Sequence, residues 1–189
     1  MAYYAHSTPS VDKSDWQSLA EHLHSVGKIA GRNAATFGAS ALAEVAGLLH
    51  DLGKYSEVFQ RRIAGDAIRV DHATRGAMIA AEHFGPIGML LAYGIAGHHA
   101  GLANGAEGGE RTGLRDRMKG IGLPPLKDDW AQEIFLPEQL HAPKLLLHKE
   151  RSMFQFAFLA RMLFSSLVDA DYLDTEAFYD RVAPPGQPK

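Results

Sequence analysis

Trp16, Leu19, Leu23, Val26, Ala30, Ala34 and Phe37 follow one another at steps of three and four, and this spacing constrains the chain more than any other feature of it. Only a helix gathers such positions into one stripe, and a stripe of that width has to be buried against something. Ser14-Asp15-Trp16-Gln17 reads as a capping box with Ser14 as N-cap, and Gly38 is a natural stop, so a first helix is predicted between them. Ser40 caps a second, running through Leu42, Val45, Leu48, Leu49 and Leu52 to a break at Gly53. A short third helix spans 56–64 and ends at Gly65. Ala73, Ala77, Met78, Ala80, Ala81 and Phe84 form a small-residue helix closed by Gly85, and Pro86 suits the first turn of the next, which carries Leu90, Leu91, Tyr93 and Ile95. One or two short helices are predicted within 130–140. The last long helix, from about Lys149 to Tyr172, presents Phe156, Leu159, Ala160, Leu163, Leu167 and Ala170 on one face, with a final short helix after Asp174. No strand-like alternation of useful length and no internal repeat interrupts this series. The fold class is all-α, a helical bundle.

At 189 residues the chain fits one domain, predicted over 1–183, with the proline-rich 184–189 as a tail or linker stub. Hydrophobic residues make up 46% and charged residues 22%, a globular balance, and no apolar run approaches the ~20 residues of a bilayer crossing, so no membrane partner is expected. The start, Met1-Ala2-Tyr3-Tyr4-Ala5-His6, lacks a basic region followed by an apolar core, which makes a cytoplasmic location the expectation. A net charge of −3 argues against nonspecific coating of nucleic acid, while leaving room for a local basic groove. With no cysteine present, any metal has to be held by His, Asp or Glu, and ten histidines make that feasible.

The candidates fall at informative places. His22 lies mid-helix at the edge of the buried stripe, whereas His24 points nearer to solvent. His50-Asp51 stands where the second helix runs out, His72 opens a later helix, and His98-His99 sits in a glycine-flanked turn, Gly97-His98-His99-Ala100-Gly101. On the last long helix Asp171 projects beside Leu163 and Leu167, while Asp169 lies roughly opposite. A bundle can aim side chains from several helices at one point, as histidine and carboxylate metal sites do, and a carboxylate can bridge two ions where an imidazole cannot. Taken singly, His22 reads more readily as a hydrogen-bonded core histidine and His72 as a helix-start residue, and Lys54 reads equally as a surface lysine at a helix end. His6, His24, His83, His141 and His148 read as structural or surface residues.

Several stretches together resemble the HD superfamily of metal-dependent phosphohydrolases, and within it the HD nuclease domain of the CRISPR-associated type I helicase-nuclease. They are Trp16-Gln17-Ser18-Leu19-Ala20-Glu21-His22-Leu23, Gly47-Leu48-Leu49-His50-Asp51-Leu52-Gly53-Lys54, Asp71-His72-Ala73-Thr74-Arg75-Gly76-Ala77, Gly97-His98-His99-Ala100-Gly101-Leu102 and the run from Ser165 to Asp174. The resemblance implies an HD-domain bundle with two divalent ions, drawn from Mn, Fe, Co, Ni or Mg. It places His22, His50, Asp51 and a late aspartate around one ion, and Asp51, His72, His98 and His99 around the other, with Asp51 as bridge. The late aspartate matches Asp171, with Asp169 as fallback. Two ions roughly 3.5–4 Å apart activate water and stabilise both the attacked phosphate and the leaving oxygen. Lys54 is a candidate for neutralising charge on that phosphate.

The implied activity is cleavage of single-stranded DNA, and the implied partners are that DNA, a helicase domain or subunit, and the RNA-guided CRISPR surveillance complex. The family pattern is usually joined to a helicase, and no Walker-type loop is present here, so the motor has to lie elsewhere. Residues 101–129 read as an irregular, partly helical basic insertion in which Arg111, Arg115, Arg117 and Lys119 either track a DNA backbone or form a solvated loop. Two rival readings share the fold: a phosphohydrolase acting on nucleotides, and a non-catalytic HD adaptor.

Overall fold

The computed structural model describes residues 2–102 and 113–182. Along them run β1 (Tyr4–His6), β2 (Gln17–Ser18), α1 (Leu19–Ala34), α2 (Ser40–Leu49), α3 (Glu57–Ile63), α4 (Thr74–Gly97), α5 (Leu114–Met118), α6 (Trp130–Glu133) and α7 (Ser152–Val182). Short 3₁₀ turns cover Ala35–Phe37 and Leu52–Tyr55. The bundle is all-α apart from the antiparallel pair of β1 and β2, too short to register as alternation in the sequence.

The first helix starts later than its capping box suggested. Ser18, not Ser14, is the N-cap, accepting a hydrogen bond from the Glu21 amide, and Gln17 is drawn into β2 instead of closing a box. Trp16 therefore lies outside the helix, its indole donating to the Thr8 carbonyl (3.1 Å) and meeting Tyr4 edge-on. The rest of the stripe behaves as its spacing requires: Leu19, Leu23, Val26 and Ala30 are fully buried. α1 lies centrally, against α2 and α7, and α4 covers α2 and α7. A Cβ on Gly47 would come within 2.6 Å of Gly27, so α1 and α2 cross in backbone contact at those two glycines. That approach brings the end of α2, with His50, beside His22.

α4 is one run bent at Gly85, whose φ of 57° and ψ of −128° are open to glycine, with Pro86 opening the second half as expected. α7 corrects the sequence reading more sharply. It continues without a break through Asp174 to Val182, where a helix end near Tyr172 and a separate short helix were expected. Both α4 and α7 are long and apolar enough, by length and composition, to cross a bilayer, which corrects the expectation that no apolar run approaches that size. Each buries one face in the bundle: Ala77, Ala80, Leu91 and Ile95 from α4, and Leu159, Leu163, Leu167 and Ala170 from α7. Arg111 and the tail 184–189 lie outside the described residues.

Candidate metal centre

The candidate donors lie on or beside four helices. His22 comes from the middle of α1, His50 caps the C-terminus of α2, and His98 does the same for α4. Asp51 opens the 3₁₀ turn after α2, His72 precedes α4, and Asp171 projects from α7. The turn at Asp51 is locked to His72: the Gly53 amide donates to the His72 carbonyl (2.9 Å), and a Cβ on Gly53 would stand 2.4 Å from that oxygen. The glycine after the doublet thus serves a close backbone approach, in addition to ending α2.

Asp51 sits between two nests of donors. Its Oδ2 lies 3.6 Å from His22 Nε2 and 3.5 Å from His50 Nε2, and Asp171 Oδ1 closes the same side at 3.5 Å and 3.4 Å from those nitrogens. Its Oδ1 lies 3.4 Å from His72 Nε2 and 3.3 Å from His98 Nε2, and His99 Nε2 stands 2.8 Å from that of His72. Asp169, in contrast, is exposed and accepts from Asn33 (2.9 Å). The two nests differ in access: His22 and His50 are wholly buried, whereas His72 is partly open and His99 is exposed.

A cation fits these donors. Nδ1 of His50 and His98 each donate to a carbonyl three residues back, Gly47 and Ile95, at 2.7 Å, and His22 Nδ1 lies 2.7 Å from Asp174 Oδ2. With its proton held on Nδ1, a neutral ring turns the Nε2 lone pair toward the carboxylates, the arrangement in which imidazoles bind metals. Those Nε2 atoms of His22, His50 and His98, and Asp51 Oδ1, are buried without a hydrogen-bond partner. Lone pairs facing lone pairs repel unless a proton or a metal lies between. Nitrogen and oxygen donors about 2.1 Å from a shared ion stand about 3.0–3.4 Å apart, close to the spacings seen. Asp51, His72, His98 and His99 form one such donor set, His22, His50 and Asp51 a second, and His50, His98 and Asp171 a third that shares members with both.

The electrostatics agree. Burial alone would strip the proton from His50, but the Asp51 and Asp171 carboxylates outweigh it and hold its pKa up at about 9. Burial likewise works against ionised Asp51, and Lys54 and His50 overcome it, keeping that carboxyl well below its usual range. On the open side burial prevails, lowering His72 and bringing His99 to about 4, so both stay neutral. The buried nest calls for positive charge, and the open nest offers neutral nitrogen.

Lys54 is no surface lysine. Its ammonium is buried 2.6 Å from Asp51 Oδ2 and donates to the Ala5 carbonyl (3.1 Å). Arg117, a candidate for tracking DNA, is spent internally: it reaches Thr74 Oγ1 (3.0 Å), Asp71 Oδ2 (2.9 Å) and the Ala96 carbonyl, tying the two ends of α4 together. Lys119 pairs with Asp116 at 2.7 Å, and Arg115 lies on α5. His24 meets the Glu133 carbonyl at 3.0 Å.

Sequence reasoning overlooked Asp174 and His6. Asp174 also accepts from Gln17 (2.8 Å), and with Asp171 it faces the site from one side of α7, three residues apart. That spacing was available in the sequence once α7 is taken as continuous. His6 meets His22 edge-on at 4.9 Å and lines a cavity of about 810 Å³ that opens onto His72 and His99. Nothing in the sequence places β1 there.

The profile of the HD domain family matches residues 19–128. The chain belongs to the HD domain family. The match takes in His22, His50, Asp51, Lys54, His72, His98 and His99, and α7 adds Asp171 from beyond it. No curated protein matches the chain. Family membership and the donor sets together mark this HD protein as equipped for metal-dependent phosphohydrolysis.

Proposed function

We propose that this HD protein is a metal-dependent nuclease that cleaves phosphodiester bonds of single-stranded DNA, acting in CRISPR interference beside a helicase domain or subunit and an RNA-guided surveillance complex. The observation that carries the hydrolytic reading is the division of Asp51 between two histidine nests, one oxygen to each. When bound, two divalent ions supply an activated water and neutralise charge on the phosphate. The protein's own residues prepare the rest. Asp51 fixes the separation of the nests. Asp174 and the Gly47 and Ile95 carbonyls hold the Nδ1 protons of His22, His50 and His98, so that each Nε2 stays free to ligate. Lys54 sets a positive charge between Asp51 and the cavity, where it can oppose charge gathering on a phosphate. For the strand substrate, the support is the likeness of the His98-His99 turn and the Asp71–Ala77 stretch to the nuclease branch.

The test is metal quantitation joined to cleavage assays offering single-stranded DNA, duplex DNA, deoxynucleotides and cyclic nucleotides side by side. The nuclease reading expects Mn-, Fe-, Co-, Ni- or Mg-dependent cutting of the single strand, abolished by Asp51→Ala. Turnover confined to nucleotides would assign the protein to nucleotide hydrolysis instead, and a chain that retains no metal would be an adaptor.

A further inference from the structure

The cavity of about 810 Å³ beside the open nest is lined by cationic side chains, aromatic rings and two of the candidate ligands. Arg62 and Arg69 stand on its wall as exposed side chains, and among the described residues neither forms an ion pair with a carboxylate. Arg62 does lie over the Phe59 ring (5.6 Å), which leaves its guanidinium donors available. The carboxylate in the lining, Asp66, is already held by Arg61 at 2.8 Å. Lys54, also in the lining, holds its ammonium 2.6 Å from Asp51 Oδ2. Tyr179, also in the lining, is 46% exposed, its ring braced edge-on by His6 (5.7 Å) and Phe178 (5.0 Å). His72 and His99 complete the lining. The volume lies in the range of small-molecule and cofactor pockets.

We propose that this cavity is the strand-binding subsite for the nucleotides flanking the scissile phosphate, with Arg62 and Arg69 on backbone phosphates and Tyr179 stacked on a base. The assignment rests on the nuclease reading for the position of that phosphate. Guanidinium groups suit phosphate oxygens, and an exposed aromatic ring accepts any base, so the subsite reads a strand without reading its sequence. It also explains why the open nest, not the sealed one, faces the cavity: the phosphate has to arrive from the side where His72 and His99 are accessible.

Fluorescence anisotropy with metal-loaded protein and a labelled phosphorothioate oligothymidylate, which resists hydrolysis, tests this across a salt series. The double variant Arg62→Ala/Arg69→Ala is expected to bind at least about tenfold more weakly and to lower the slope of log K against log salt by roughly 1.4, the loss of two phosphate contacts on a single strand. Tyr179→Ala should weaken binding at least about fivefold with the slope kept. Lys28→Ala, exposed on α1 and outside the cavity lining, should bind as the wild type does. Wild-type affinity and slope in the double variant overturn the subsite, as does dTMP displacing the probe at the oligonucleotide's own concentration, which would make the occupant a mononucleotide. The two readings fail separately. A wild type that cuts single-stranded DNA while the variants bind normally loses the subsite and keeps the nuclease. A wild type that cuts no DNA, with variants that still bind weakly at reduced slope, loses the nuclease and keeps the subsite.

Discussion

Lys54 Nζ lies 2.6 Å from Asp51 Oδ2, and both side chains are closed off from solvent. The Asp51 carboxylate therefore faces an internal cation as well as its two histidine nests. Removing one partner of a buried ion pair leaves the other uncompensated, at a cost of about 3–5 kcal/mol. Lys54→Met should lower the stability of chelator-treated protein by that order, and a saturating divalent metal should restore much of it by taking over the charge on Asp51. Thermal denaturation with and without metal measures both. A melting temperature unchanged in chelator would show that the pair contributes nothing.

Asp174 touches His22 and not the expected metal positions, so it acts by orienting a ligand. Asp174→Ala should weaken metal affinity about 10- to 100-fold, the usual effect of losing a partner behind a ligating histidine. Asp174→Asn, which can still accept from Nδ1, should recover part of that. Asp169→Ala, at the exposed Asn33 contact, should leave affinity as it is. Calorimetric titration with Mn separates the three.

Gly53→Ala should injure one nest selectively. The added Cβ would have to enter a space 2.4 Å from the His72 carbonyl, pushing His72 off the open nest while His22 and His50 remain on α1 and α2. The expected outcome is loss of about one ion's worth of binding from the pair implied by the site. Metal content after gel filtration checks it, and full retention of both ions would contradict the coupling.

Alkaline stability should depend on two tyrosines outside the candidate donor sets. Tyr3 donates to Asp129 (2.9 Å) and Tyr55 to Glu133 (2.6 Å), their rings 5.0 Å apart. Burial and then the Asp129 carboxylate push Tyr3 up to about 12, and burial with Glu133 raises Tyr55 further. A folded-state pKa above the unfolded value of about 10 means that the contribution is complete below pH 10 and is lost as pH rises through 12. Melting temperatures should fall over that window, and less steeply for Tyr55→Phe. A flat profile between pH 10 and 12 would contradict these contacts.

The helices were legible where a glycine closed an apolar stripe, as for α3 and the first half of α4, but Ser40 does not cap α2: Ala39 takes that place without a side-chain bond, and the helix ends at Leu49 instead of running through Leu52. They were misread where local signals competed: Ser14 and Ser18 both precede the stripe, and pairing of β1 with β2 decided for Ser18. The donors at His50, Asp51, His98 and His99 announced themselves because adjacent polar groups in apolar stretches have no packing purpose. Asp174 stayed hidden by the expected end of the last helix. His6 and the internal use of Arg117 arise from contacts between segments far apart in the chain, which no local pattern records.

The central claim is that one carboxylate, Asp51, bridges two divalent ions that cut DNA. It is tested most directly by counting metal per chain in the wild type, Asp51→Ala and His50→Ala, alongside cleavage of single-stranded DNA. The expected result is about two ions in the wild type, nearly none in Asp51→Ala and about one in His50→Ala, with cutting lost in both variants. Equal metal loss from the two variants, or an active protein holding a single ion, would contradict it.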